Sequence, residues 1–91
     1  MSITLQLPNV LARLANGQPR LSVDGATLGD VIDQVSGRFP ELAPRLRDTT
    51  GEPYPFVTFY LNDDDIRFQG GFAAQVKDGD VVTVVPAVAG G

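Results

Sequence analysis

Apolar and polar residues alternate at the start of the chain: Ile3, Leu5 and Leu7 are interleaved with Ser2, Thr4 and Gln6. That period of two is the signature of a strand with one buried face, and Pro8 ends it because a proline cannot donate to a ladder. Val10, Leu11 and Leu14 predict a short helical turn before the turn-forming run Asn16-Gly17-Gln18-Pro19. Leu21 and Val23 alternate with Arg20, Ser22 and Asp24 as a second strand that Gly25 closes. The period then changes. Leu28, Val31, Ile32, Val35 and Phe39 recur at helical spacing, and Thr27 with Asp30 three residues later resembles a capping box, so the main helix is expected over 27–38. Pro40 stops it, and Leu42 and Leu46 suggest a second short helix over 41–46.

Gly51, Pro53 and Pro55 make 48–55 a loop. A third strand follows over 56–61, with Val57, Phe59 and Leu61 on one face and Phe56, Thr58 and Tyr60 on the other. A turn at Asn62-Asp63-Asp64 leads to a short fourth strand over 65–68 and a loop at Gly70-Gly71, after which Phe72, Ala73 and Val76 fit one more helical turn. Lys77-Asp78-Gly79-Asp80 has turn chemistry, and 81–85 is the last strand. Two hairpins thus flank one helix. A right-handed crossover through that helix lets the first and last strands lie parallel at the sheet centre. The expected fold is α+β, a ubiquitin-like β-grasp with a mixed sheet of four to five strands on one main helix. At 91 residues the chain reads as a single domain over 1–91, with a flexible C-terminal tail at 87–91.

Composition narrows the chemistry. Hydrophobic residues make up 43% and charged residues 20%, as in an ordinary globular protein. With no cysteine and no histidine, the chain lacks a thiol nucleophile, thiolate metal ligands and the commonest general base. A formal net charge of -4 with a single lysine, Lys77, argues against nucleic acid as a partner. No run approaches the ~20 apolar residues of a membrane span and the N-terminus lacks a signal-peptide pattern, so a soluble, cytoplasmic protein that is monomeric when free is expected.

Several motifs invite a sharper reading. Asp63-Asp64-Asp65 lacks the alternating ligands, turn glycine and distant Glu of a calcium loop and fits a turn, so no metal site is assigned. Gly70-Gly71 belongs to no phosphate-loop pattern and suits backbone with positive φ. Phe56, Thr58 and Tyr60 with Val81, Thr83 and Val85 remain when the alternating residues face the helix. They form either an exposed partner surface or a small second cluster under the 48–55 loop. The chain closes on Pro86-Ala87-Val88-Ala89-Gly90-Gly91, which suits an ordinary frayed end or a tail built to enter another protein.

Taken together, these residues resemble the ubiquitin-like sulfur-carrier family, of MoaD/ThiS type. The resemblance lies in Thr27-Leu28-Gly29 with Val31-Ile32, in Phe56-Val57 and Tyr60, in Asn62-Asp63, Asp65, Arg67-Phe68 and Gly70-Gly71, and in Asp78-Gly79-Asp80 with Val82-Thr83. The final block from Pro86 to Gly91 is its specific part, and the N-terminal third matches only in pattern. Within the family it is closest to the actinobacterial carriers that supply a cysteine synthase. The resemblance implies that the chain is no enzyme. Gly91 would carry the reactive carboxylate, adenylated by an E1-like adenylyltransferase/sulfurtransferase using ATP and magnesium, then converted to a thiocarboxylate for a sulfur-accepting biosynthetic enzyme. No cofactor is expected on the chain itself. Ala87, Val88, Ala89 and Gly90 would thread into partners. Cysteine synthesis is the first expectation for the acceptor, with thiosugar, thiamine or molybdopterin formation open, and a protein modifier or a plain interaction module are the rival functions.

Overall fold

The computed structural model describes residues 2–86. Strands β1 (Ile3–Gln6), β2 (Arg20–Val23), β3 (Val57–Leu61), β4 (Asp64–Asp65) and β5 (Val81–Pro86) form one sheet in the order β2-β1-β5-β3-β4. β1 runs parallel to β5, with Leu5 beside Val82, while β2 and β3 lie antiparallel to their central neighbours. This is the β-grasp arrangement.

A short helix, α1 (Asn9–Ala12), sits in the connection of the first hairpin, and the chain crosses to the second through α2 (Leu28–Arg38) and α3 (Ala43–Leu46). The capping box expected at the start of α2 is formed. Thr27 Oγ1 accepts the Asp30 N–H and Asp30 Oδ2 accepts the Thr27 N–H, each at 3.2 Å, satisfying donors that a helix start leaves open. Leu28, Val31, Ile32 and Val35 of α2 are buried with Ile3, Leu5, Phe59, Val82 and Val84 of the sheet in one hydrophobic cluster. Strand alternation therefore gives the sheet one face turned to the helices and one face left open.

Three expected boundaries move. The fourth strand is only Asp64–Asp65, and 66–68 winds into a 3-10 turn because the Asp65 carboxylate accepts the Arg67 N–H at 2.9 Å and draws the backbone round. The expected 41–46 helix is split into a 3-10 turn over Pro40–Leu42 and the short α3. β3 begins at Val57, one residue late: the Val57 N–H donates to the Tyr54 carbonyl at 3.2 Å, closing a turn with Pro55 and Phe56 at its centre.

Candidate functional site

Everything that could position the end of the chain converges on β5. It is held on both sides, by β1 and β3, and buries Val82 and Val84 in the core. Its start is tied down by Asp80, a buried polar residue at 7% exposure. Asp80 accepts the Lys77 N–H at 2.9 Å and the Asn62 amide at 3.2 Å, while Asn62 Oδ1 accepts the Val81 N–H at 3.0 Å. Asn62 reaches this position with a φ of 58°, a left-handed conformation that asparagine tolerates better than most residues. The last described residue, Pro86, stands opposite Val57. Ala87, Val88, Ala89, Gly90 and Gly91, which form the tail expected to enter partners, lie outside the described residues.

Of the predicted surface residues, the structure gathers five on the open sheet face. Thr58 stands opposite Val85 and Tyr60 opposite Thr83, and Val81 lies on the same face by alternation. None of the five joins the buried cluster. Thr83 Oγ1 donates to Gln6 Oε1 at 3.2 Å across the parallel pair. Phe56 lies just ahead of β3, in the Pro55-Phe56 turn. It is 63% exposed and packs edge-on against Tyr54 with ring centroids 5.4 Å apart.

Sequence reasoning does not single out the loop that carries this aromatic pair, although the turn chemistry that shapes it is there to be read. Asp48 Oδ1 accepts from the Thr50 N–H at 2.8 Å, the Thr50 hydroxyl at 2.6 Å and the Glu52 N–H at 3.1 Å. The Thr50 hydroxyl foremost, with the backbone donors of Thr50, Glu52 and Gly51, holds the Asp48 carboxyl below the ordinary aspartate range. Asp-x-Thr is a turn signal, but its role in clamping a loop beside the tail root is a tertiary fact. Across a neighbouring cleft, Arg67 grips Asp65 through Nε at 3.1 Å and Nη2 at 2.7 Å. The hydrogen bonds from Arg67 push the Asp65 carboxyl down, and Asp65 in turn pushes the guanidinium up. Among the described residues no group of three or more carboxylates is placed to hold a metal ion, and no helix is long and apolar enough to cross a membrane.

A domain of this kind has a firm β-grasp body, one sheet face open, and a central strand from which the chain end departs. That defines the ubiquitin-like class. A family model described as the ThiS family matches residues 5–91. The sulfur carrier protein CysO of Mycobacterium tuberculosis is 42% identical over the whole of both chains. A chain in the crystal structure of the Amycolatopsis orientalis BexX/CysO complex is 39% identical, with a TM-score of 0.91 covering 98% of this chain and 99% of that one. Small archaeal modifier protein 3 of Haloferax volcanii is 40% identical over 75% of this chain and 73% of its own. The chain belongs to the ThiS family of ubiquitin-like sulfur carriers.

Proposed function

We propose that the chain carries sulfur on its own C-terminal carboxylate, at Gly91, and delivers it to a biosynthetic enzyme. The observation that carries this reading is full-length similarity to CysO, together with a Gly90-Gly91 end a few residues beyond a firmly held central strand. An α-carboxylate with a pKa of ~3.5 is ionised at neutral pH and resists nucleophiles. An E1-like enzyme would join it to AMP from ATP, with magnesium, releasing pyrophosphate. Attack by a sulfide-class donor on the acyl carbon then expels AMP and leaves the thiocarboxylate. The chain supplies the electrophile and the body that partners hold, while the partner enzymes supply catalysis. Gly90 and Gly91 have no Cβ to obstruct a narrow channel. The open face bearing Thr58, Tyr60, Val81, Thr83 and Val85 is the surface offered for docking. Cysteine synthesis is the acceptor pathway that similarity to CysO favours.

The test is to incubate the chain with an E1-like activating enzyme, ATP, magnesium and sulfide and to weigh the intact protein. Exchange of one oxygen for sulfur is expected, and is lost when Gly91 is deleted. A second reading, isopeptide conjugation to lysines, is favoured by the similarity to the Haloferax modifier. Its signature is the C-terminal peptide left by tryptic cleavage after Lys77, residues 78–91, joined to lysines of other proteins in digests of the source cells.

A further inference from the structure

Beside the root of the tail lies a cleft of about 390 Å³, bordered by Pro53, Tyr54, Pro55, Val57, Ile66 and Arg67. Val57 belongs both to this cleft and to the strand pair that holds Pro86, its cross-strand partner. We propose that the cleft receives an apolar side chain from the rim of the enzyme that encloses the C-terminal segment, making the 47–56 loop a second recognition point besides the tail and the open sheet face. The inference rests on the carrier reading above.

Reach supplies the first argument. Five residues follow Pro86, and fully extended they span about 17 Å. An enzyme that works on Gly91 must therefore bring its surface close to Pro86, and the residue next to Pro86 is Val57, which borders the cleft with Tyr54 and Pro55. The chemistry of the lining supplies the second. Pro53 and Pro55 have no N–H to offer, Val57 and Ile66 are apolar, and the one cation on the rim, Arg67, is already forked onto Asp65. Apolar surface makes up most of the lining, with Thr58, Asp65 and the Tyr54 hydroxyl among its polar members, so an aliphatic or aromatic side chain is the better match.

The loop is also built in advance. Arg47 pairs with Pro53 in a β-bridge, the Tyr54 N–H donates to the Leu46 carbonyl at 3.0 Å, and the Asp48 N–H donates to the Glu52 carbonyl at 2.9 Å. Arg47 is itself anchored by an ion pair with Asp33 and stacks over the Phe72 ring at 5.3 Å. Docking on such a loop loses little conformational freedom.

The experiment compares the full chain with Tyr54→Ala, Val57→Ala and their double variant, both positions bordering the cleft, as substrates of an E1-like activating enzyme from the source organism, with ATP, magnesium and sulfide. Thiocarboxylate is read by intact mass, and thermal melts confirm that each variant is folded. For the double variant the KM for the carrier is expected to rise about tenfold, as for loss of an interface anchor, with kcat changed less than about twofold because the acyl chemistry is untouched. Val10→Ala, at an exposed site on α1, should match the unaltered chain. If the double variant folds and keeps the KM of the unaltered chain, the inference is overturned and the carrier function stands. It is equally overturned if KM is unchanged while sedimentation shows altered self-association, since a second copy would then fill the cleft. If the unaltered chain acquires no sulfur at all, the carrier reading fails and the inference falls with it.

Discussion

Asp80 is the polar residue on which the geometry of β5 most depends. It is buried, and it takes donors both from the turn before the strand and from Asn62 across the sheet, so one carboxylate joins two turns. Asp80→Ala leaves the Lys77 N–H and the Asn62 amide without their acceptor, and a loss of about 1–3 kcal/mol is expected for removing a carboxylate that accepts two part-buried hydrogen bonds. Urea denaturation will measure it. Asp48 and Asp65 act at the surface through pH. Both carboxyls titrate below their ordinary value in the folded chain, so both favour folding above the unfolded aspartate pKa of ~3.9. That contribution is lost as pH falls through their lower folded values. The urea midpoint should therefore decline as the solution is acidified below about pH 4, and Asp48→Asn should flatten the decline.

The elements show how far local pattern reaches. Thr27 and Asp30 mark the start of α2 in the sequence, and both reciprocal bonds are present. Thr27→Ala should cost about 1 kcal/mol, visible as a lower denaturation midpoint. Period-two runs place β1 and β2, and the continuous β-branched run over 81–85 places β5. The pattern fails where a single contact redirects the backbone. Asp65 turns a nascent strand into a 3-10 turn by capping the Arg67 N–H, and the Tyr54–Val57 turn takes Phe56 out of β3. A window of hydrophobicity is blind to both. The Asn62–Asp80 contact is likewise hidden: each residue sits in a recognisable turn, but 18 positions separate them and only the sheet brings them together.

At the scale of the whole molecule, the architecture divides labour. α2 and its neighbours cover one sheet face, leaving the other face and the cleft by Val57 free for partners. β5 lies at the centre of that sheet, and its last residue, Pro86, is paired with Val57. The sequence has no cysteine and no histidine, so it offers neither a thiol nucleophile nor an imidazole base. The five tail residues are legible as a motif because glycine pairs at a chain end are uncommon, whereas the aromatic loop before Val57 is not, because its position follows from tertiary packing. The central claim is that Gly91 bears the sulfur. Intact-mass analysis after reaction with an E1-like activating enzyme, ATP, magnesium and sulfide tests it most directly: exchange of one oxygen for sulfur, localised by fragmentation to Gly91 and absent from the Gly91-deleted chain, is the predicted result, and an unchanged mass with an enzyme shown to activate another carrier would contradict it.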